Sequence, residues 1–434
     1  MYFAQLKISD PLLRAITDLN YVDPTPIQVQ AIPPLLDGFD LLGTAQTGTG
    51  KTAAYAIPLL QKIIVNRPSY QLPTLTSLIV APTRELAAQI STSIKQYGKY
   101  AKVKVSVVVG GMAKGPQIHN LHSGTDILVA TPGRLLDLVD SKFVDLSKVN
   151  YFVLDEADQM LDMGFLPDIR RIISKLPAER QTMLFSATMP KEILSLAGSL
   201  LNHPVRISIG SVQRPLAAIS QCLYRVAKEN KAELLIHLLK DNAISSALVF
   251  CRTKNGANRL TKKLLEQPYK TEVIHGNKSQ NARTAALKSF KAHESRVMIA
   301  TDIAARGLDI SQISHVFNYD LPQTPETYLH RMGRTGRAGE VGATISFCSR
   351  DELSLLKDIQ KHISMEIPLI NSPIIFSAKE TPVKTSQSAR AINSSKPQTN
   401  DVKPRNESQP HPYGNVPSRH NKHDGSYGAK QASR

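Results

Sequence analysis

The chain contains no tryptophan and only three cysteines, and aromatic residues make up 6% of its 434 residues. Cys222, Cys251 and Cys348 lack the paired spacing of a metal site, so we expect reduced thiols that pack as small hydrophobic side chains. No apolar run of about 18 residues occurs, and no basic segment followed by an apolar stretch opens the chain. We therefore expect a cytoplasmic protein, and its length predicts two or three domains.

Acidic residues are also scarce relative to basic ones. Lys and Arg number 53 against 36 Asp and Glu, which gives a formal net charge of +17 and a pI of about 9.7. This balance favours a polyanionic partner, nucleic acid first and an acidic membrane surface second. From residue 378 onward the chain has four residues of the Leu, Ile, Val and Phe types but ten Lys or Arg. We therefore predict a disordered basic tail at residues 371–434.

Short apolar segments alternate with amphipathic helical segments in two stretches of the chain. Segments that are apolar on both faces are typical of parallel strands covered by helices. We predict an α/β fold of two doubly wound parallel-sheet domains, at residues 1–209 and 219–370, joined by a linker at 210–218. The predicted strands are Ser77–Val80, 103–109, 126–130, Tyr151–Leu154, 182–185, Ala247–Phe250, Thr271–Ile274, 296–300 and His315–Asn318, with a further strand end at 40–42 and a helix from Lys51 to Ile64.

The most informative segment reads AQTGTGKT and spans residues 45–52. It fits the phosphate-binding pattern GxxxxGK[ST], except that alanine takes the first position. The glycines allow a tight turn whose N–H groups face an anion at a helix N-terminus. Taken alone, the segment could also be a glycine-rich turn. We predict that the nucleotide contacts Gln46, Thr47, Gly48, Thr49, Gly50, Lys51 and Thr52, with Lys51 at the β- and γ-phosphates and Thr52 on Mg²⁺.

Two carboxylates follow the apolar segment Tyr151–Leu154, at the end of a predicted parallel strand where ligands bind in such sheets. Asp155 would hold Mg²⁺, and Glu156 would orient and deprotonate the attacking water. An isolated pair of carboxylates could instead form a solvated acidic turn. Because strand, carboxylates and phosphate loop occur together and in this order, the sequence predicts hydrolysis of a nucleoside triphosphate.

These motifs, with others that follow, resemble the DEAD-box RNA helicases of superfamily 2 over about residues 3–342. Within that family, residues 45–52 and the segment LDMGF at 161–165 are most similar to the bacterial RhlE-like branch. The resemblance implies two RecA-like domains, ATP and Mg²⁺ as ligands, and RNA as the partner, both single strands and short duplexes. It also implies ribosomal precursors or RNA-decay proteins as further partners, and no membrane.

The segment YVDPTPIQ at residues 21–28 resembles the family's Q motif. By this resemblance Gln28 reads the adenine edge through paired hydrogen bonds, while Phe3 and Tyr21 supply an aromatic side chain that packs on the base. The family usually has glycine before the aromatic residue. Here the residue is Asn20, which also tolerates a positive φ.

The resemblance gives the remaining motifs roles in RNA contact, coupling and catalysis. Segments such as PTREL at 82–86 and TPGR at 131–134 offer groups suited to a ribose-phosphate backbone, although each alone could be a turn or a helix cap. The implied RNA contacts are Arg84, Gly111, Thr131, Arg134, Gly276, Arg283 and Thr301. The implied coupling residues are Asp158, Ser186, Thr188 and His330. The resemblance also implies that Asp309 faces the ribose and that Arg334 and Arg337 act as arginine fingers. The implied catalytic residues are Lys51, Asp155, Glu156, Arg334 and Arg337.

Two alternatives to an RNA helicase are open at this point. One is a DNA-translocating helicase of the wider superfamily, against which the Q motif and the tetrad DEAD at residues 155–158 argue. The other is an ATP-gated RNA clamp or annealing factor that unwinds poorly, which the sequence does not exclude.

Overall fold

The computed structural model describes residues 2–46, 48–66, 73–209, 219–305, 313–336 and 342–374. Four features predicted from the sequence lie wholly or mostly outside these ranges. They are Thr47 of the phosphate loop, the linker at 210–218, the residues Asp309 and Arg337, and residues 375–434 of the tail predicted at 371–434.

The first lobe is a seven-stranded, all-parallel sheet with helices on both faces. The strands pair in the order β3-β4-β2-β5-β6-β1-β7. They are β1 Leu41–Ala45, β2 Ser77–Val80, β3 Val105–Val108, β4 Ile127–Ala130, β5 Tyr151–Leu154, β6 Gln181–Ser186 and β7 Val205–Ile209. The helices are α1 Asp10–Asp18, α2 Pro26–Leu36, α3 Lys51–Asn66, α4 Arg84–Tyr97, α5 Lys114–His122, α6 Pro132–Asp140, α7 Ala157–Asp162, α8 Leu166–Ile173 and α9 Lys191–Leu200, preceded by a 3₁₀ turn at Phe3–Leu6.

The second lobe is also a seven-stranded parallel sheet, in the order β10-β11-β9-β12-β13-β8-β14. Its strands are β8 Ile219–Arg225, β9 Ala247–Phe250, β10 Thr271–Ile274, β11 Val297–Ala300, β12 His315–Asn318, β13 Gly342–Cys348 and β14 Leu369–Ile370. Its helices are α10 Lys231–Leu238, α11 Lys254–Leu265, α12 Gln280–Lys291, α13 Asp302–Ala305, α14 Pro325–Met332 and α15 Leu353–Ile363, with 3₁₀ turns at Lys228–Asn230 and Arg350–Glu352.

Alternating side chains of the central strands form two cores, one on each face of the first sheet. In β2, Ile79 joins one apolar cluster, while Leu78 and Val80 join the other. Successive side chains of a strand point to opposite faces, so a strand covered on both faces must be apolar throughout. This explains why the four-residue apolar segments in the sequence became strands.

The predicted fold class and all nine predicted strands are confirmed, with ends shifted by up to two residues. The predicted strand at 103–109 is shorter, at Val105–Val108. Four strands were not predicted from the sequence: β7, β8, β13 and β14. The first three mix polar and apolar types, and β14 is only two residues long. In β13 the buried Ser346 is accommodated because it accepts a hydrogen bond of 3.1 Å from Asn318.

The cysteines pack as predicted. Cys251 and Cys348 are buried in apolar clusters and Cys222 is half-buried, and all three are free thiols. Among the helices in the described ranges, none is both long and apolar enough to cross a membrane.

Candidate nucleotide and RNA sites

The phosphate loop connects β1 to α3 at the carboxyl edge of the first sheet. Gly48 and Gly50 have φ values of 88° and 92°, the left-handed conformation that the glycines were expected to supply. A Cβ on Gly50 would lie 2.5 Å from Nε2 of Gln28, so the close approach of these segments also requires glycine. Lys51 begins α3, is 6% exposed, and donates from Nζ to the Ala45 carbonyl at 3.0 Å.

The two predicted catalytic carboxylates lie beside this loop, directly after β5. Tyr55 of α3 donates from its hydroxyl to Oδ2 of Asp155 at 3.0 Å. Glu156 has φ 55° and ψ 52°, a left-handed conformation that is costly for a residue with a side chain and is found mainly at functional sites. Oδ1 of Asp155 and Oε2 of Glu156 are buried without a hydrogen-bond partner among the described residues. Both oxygens are therefore available to a cation or a water molecule.

Burial also changes the protonation of this pair. Desolvation raises the pKa of Glu156 to about 7; Lys51 opposes the rise, and the charge of Asp155 adds to it. Desolvation likewise raises the pKa of Asp155 and, with the neighbouring Asp155 charge, that of Tyr55. A carboxyl group with a pKa near 7 suits a general base at neutral pH.

Gln28 lies against the phosphate loop. It is 3% exposed, its Oε1 accepts from the Thr25 backbone N–H at 2.9 Å, and its Nε2 donates to the Gly50 carbonyl at 3.2 Å. An amide oxygen has two lone pairs and an amide nitrogen two hydrogens, so each atom keeps one bonding position. These contacts leave one acceptor and one donor for an adenine edge.

The aromatic residues predicted to pack on the base lie in different environments. Tyr21 is exposed, and its ring centroid lies 6.2 Å from that of Tyr97. Phe3 is 4% exposed and belongs to the core of the first lobe. Asn20 has φ 58°, which confirms the expected positive φ. Base packing by Tyr21 or Phe3 stays a prediction.

The predicted coupling motif forms a compact hydrogen-bonded unit. Oδ2 of Asp158 accepts from the Thr188 N–H at 2.8 Å, the Thr188 hydroxyl at 3.0 Å and the Ala187 N–H at 3.2 Å. The Ser186 hydroxyl accepts from the Asp158 N–H at 3.2 Å and donates to the Thr188 carbonyl at 2.7 Å. The segments after β5 and β6 are therefore tied to each other. The link from half-buried His330 to this unit stays a prediction.

The predicted arginine finger Arg334 follows α14 of the second lobe. It is buried, and its positive charge opposes the rise in the pKa of Glu156, so the guanidinium lies within electrostatic range of this carboxyl group of the first lobe. Arg331, one turn earlier, had no role predicted from the sequence. Its guanidinium is buried and pairs with Asp302 at 2.5 and 2.8 Å, and it donates to the Asp320 carbonyl at 2.7 Å.

Five of the seven predicted RNA contacts line one cleft of about 450 Å³ between the lobes: Arg84, Thr131, Arg134, Gly276 and Arg283. Gly111 lies beneath Arg84, where any Cβ would collide with the guanidinium. Thr301 is buried at the end of β11 and is not among the residues that line the cleft.

Two residues without a predicted role, Glu85 and Gln280, connect the lobes at the border of this cleft. Gln280 accepts from Nη1 of Arg84 at 3.2 Å and donates to Glu85 at 3.0 Å. Glu85 also pairs with Arg283 at 3.0 Å. Glu85 is part of the PTREL segment, but the partners are almost 200 positions apart in the chain, so no local pattern indicates the contact.

Comparison with known proteins places these sites in a family. Residues 25–196 match the family model for DEAD/DEAH box helicases, and residues 230–339 match that of the helicase conserved C-terminal domain. The chain is 41% identical to the DEAD-box ATP-dependent RNA helicase CshA of Bacillus subtilis over 378 residues, which cover 87% of this chain and 76% of CshA. It is 41% identical to RhpA of Helicobacter pylori over 373 residues, 86% of this chain and 75% of RhpA.

Among solved structures, Dbp5 of S. cerevisiae bound to RNA and ADP BeF3 is similar, with a TM-score of 0.76 and 32% identity. The match covers 86% of this chain and 96% of that one. The two lobes are therefore RecA-like domains of a helicase core. The chain belongs to the DEAD-box ATP-dependent RNA helicases, enzymes that bind RNA and hydrolyse ATP.

Proposed function

We propose that this chain hydrolyses ATP between its two lobes when RNA is bound, and that the cycle separates short RNA duplexes. One observation carries the proposal. Oxygens of Asp155 and Glu156 that are buried without a partner among the described residues lie beside the phosphate loop of the first lobe, and the charge of Arg334 in the second lobe acts on Glu156. Groups on both lobes thus converge on the place where a γ-phosphate would lie.

In the proposed reaction, Lys51 and the loop N–H groups bind the β- and γ-phosphates, and Gln28 reads the adenine. Glu156 orients the attacking water and accepts its proton as the γ-phosphoryl group leaves ADP. Mg²⁺, held by Thr52 and Asp155, would neutralise phosphate charge when bound; the unpartnered Oδ1 of Asp155 fits this ligand. Arg334 stabilises the charge on the transferred group, as arginine fingers do.

RNA is proposed to bind in the cleft that Arg84 and Arg283 line from opposite lobes. Because both lobes contribute, RNA binding favours the arrangement that brings Arg334 to Glu156. Coupling of this kind is reciprocal: RNA stimulates hydrolysis, and ATP tightens RNA binding. The similarity to Dbp5 in its RNA-bound form supports this reading.

The proposal is tested by comparing ATP hydrolysis with RNA, with DNA of the same sequence, and without nucleic acid. We expect stimulation by RNA alone. Strand separation and strand annealing are then measured on one short duplex. Annealing without ATP-dependent separation would favour the RNA-clamp alternative, and equal stimulation by DNA would contradict the assigned substrate.

For the cellular role, we propose the RhlE-like branch, action in the cytoplasm, and work on ribosomal precursors or with RNA-decay proteins. The three free thiols support a reducing compartment. Crosslinking the protein to its cellular RNAs tests this: enrichment of precursor ribosomal RNA supports an assembly role, and a spread over messenger RNAs supports turnover.

A further inference from the structure

A second and larger groove, of about 1220 Å³, adjoins the proposed RNA cleft. Arg84 belongs to both cavities, and Gln280, its hydrogen-bond partner, lines the groove. α4 of the first lobe forms one wall and α12 of the second lobe the other, while β3 lies at the base. The groove is thus continuous with the cleft and spans both lobes.

Each wall is one face of a helix. Along α4 the lining residues are Arg84, Ala88, Ser91 and Lys95, at intervals of four, three and four that keep them on one face. Along α12 they include Thr284 and Lys288, also four apart. Small residues lie in the middle of each wall, and a lysine stands toward the end of each. An extended chain therefore has room between the walls.

The charge of the groove is of one sign. Arg84, Lys95, Lys104 and Lys288 line it, and no Asp or Glu does so among the described residues. Lys95 and Lys288 are exposed and form no ion pair within the described residues. By contrast, a cavity of about 580 Å³ in the second lobe combines five Lys or Arg with four carboxylates. Uncompensated cations in a groove are typical of a site for a polyanion.

We propose that this groove binds the phosphodiester backbone of the RNA strand where it extends beyond the cleft. The inference rests on the proposed function, because it lengthens the path of the same RNA. Lysines and side-chain amides contact phosphate and ribose without reading sequence. Binding here is therefore sequence-independent, sensitive to salt, and limited to RNAs longer than the cleft itself.

An acidic peptide is the competing occupant, because the base of the groove includes the edge strand β3. Gln117, however, already accepts from the Val109 N–H at 2.9 Å and donates to the Val109 carbonyl at 3.2 Å. These bonds occupy backbone groups just beyond β3 that an added peptide strand would use. Continuity with the cleft at Arg84 also favours RNA.

The test compares three RNAs on the full chain. One is the shortest single strand that fully stimulates ATP hydrolysis; the other two are the same strand extended at its 5′ end or at its 3′ end. The variant carries Lys95→Gln and Lys288→Gln. Its control carries Lys191→Gln and Lys262→Gln, which remove one exposed lysine from each lobe outside the groove. Affinity is measured over a range of salt concentrations.

In the wild type we expect a steeper dependence of log affinity on log salt for one of the extended RNAs. The groove variant should flatten that slope by about 1.4, or about 0.7 for each phosphate that a substituted lysine no longer neutralises. Its binding to the shortest RNA, and its stimulation by that RNA, should match the control.

Three results would overturn the groove proposal. The first is a salt slope in the groove variant equal to that of the control, and the second is an equal loss of affinity for the short and the extended RNAs. The third is that the two substitutions weaken binding of a polyglutamate probe but leave the salt slopes for RNA unchanged. If RNA did not stimulate ATP hydrolysis by the wild type, that result would instead contradict the proposed function. The two failures are therefore distinguishable.

Discussion

The two lobes have the same strand order, but their carboxylates at the carboxyl edge of the sheet differ. In the first lobe, Asp155 and Glu156 each have an oxygen without a hydrogen-bond partner among the described residues, whereas in the second lobe both oxygens of Glu352 are hydrogen-bonded. Each strand of the second sheet corresponds to the strand seven earlier in the first, so β8 corresponds to β1 and β12 to β5. In the first lobe, β1 and β5 deliver the phosphate loop and the carboxylates Asp155 and Glu156. In the second lobe, the corresponding place holds Lys231 and Asp320.

Lys231 begins α10 after β8, as Lys51 begins α3 after β1, but its surroundings are different. It is 1% exposed and donates from Nζ to Glu352 at 2.6 Å and to the Tyr319 carbonyl at 2.8 Å. Glu352 also accepts from Arg252 at 2.7 Å, from the Leu321 N–H at 3.1 Å, and from the N–H and hydroxyl of Ser349.

An internal carboxylate thus takes the place that a phosphate would take, and the preceding residues 226–230 contain no glycine to form a phosphate loop. The same sheet topology therefore has a different role in each lobe. In the first lobe, polar side chains without internal partners are available to bind a ligand and react, whereas in the second lobe the corresponding polar side chains pair with each other and stabilise the fold.

The largest effect is expected from Glu156→Gln. The amide keeps the shape of the side chain but cannot accept a proton, so RNA-stimulated hydrolysis should fall by about 10²–10⁴ while ATP and RNA still bind. Asp320→Asn changes the corresponding region of the second lobe and should leave most of the turnover rate. Steady-state hydrolysis and nucleotide titration measure both. A substantial rate in Glu156→Gln would contradict its role as the base.

Arg334→Ala should be nearly as severe. Its charge acts on the transferred phosphoryl group, so hydrolysis should fall by roughly 10³-fold with little change in ATP affinity. Arg350→Ala, which removes an exposed arginine elsewhere in the same lobe, is the control. Equal loss of ATP binding and turnover in Arg334→Ala would indicate a ground-state or structural role instead.

Lys231→Met should act mainly on stability. Removing one partner of a buried ion pair leaves Glu352 less compensated and should lower the free energy of unfolding by about 3–5 kcal/mol. Lys51→Met should instead lose ATP binding with a smaller effect on unfolding. Urea denaturation and ATP titration are measured on both variants. We expect the larger loss of stability in Lys231→Met and the larger loss of ATP affinity in Lys51→Met. If the two lysines behave alike, the contrast between the lobes is wrong.

Local patterns in the sequence predicted the parts of the site that local structure determines. Four-residue apolar segments predicted the central strands because burial on both faces leaves little choice of residue. Gly48 and Gly50 indicated a tight turn and Asn20 a position that tolerates a positive φ, and all three have a positive φ in the structure. The predicted RNA contacts rested on the family resemblance, and five of them meet in one cleft.

The contacts that the sequence could not predict join distant positions. Lys231 and Glu352 are 121 residues apart, and Gln280 and Glu85 are 195 apart. A single charged residue is typical of a solvent-exposed position, so nothing marks it for burial against a particular partner. The left-handed φ of Glu156 was also missed, because glutamate seldom adopts it.

A smaller effect is expected from Gln28→Ala. GTP presents the opposite donor and acceptor pattern, so the loss of two amide hydrogen bonds should cost about 1–3 kcal/mol of the preference for ATP. Gln28→Glu keeps the acceptor and loses the donor, which makes it the matched comparison. Competition between ATP and GTP measures the preference. If the wild type used GTP as well as ATP, the proposed recognition of adenine by Gln28 would be wrong.

The smallest effect on catalysis is expected from deleting residues 378–434. This deletion tests whether the two lobes alone are sufficient for RNA-stimulated ATP hydrolysis. This segment has ten Lys or Arg and four residues of the Leu, Ile, Val and Phe types, so it contributes charge rather than core. We expect RNA-stimulated hydrolysis to persist and RNA binding to weaken, with a salt slope flatter by about 0.7 for each phosphate that the tail had neutralised. Titration of both proteins with one RNA across several salt concentrations measures this. Identical slopes would show that the tail is a passive extension, and a collapse of hydrolysis would show that the second lobe extends past residue 378.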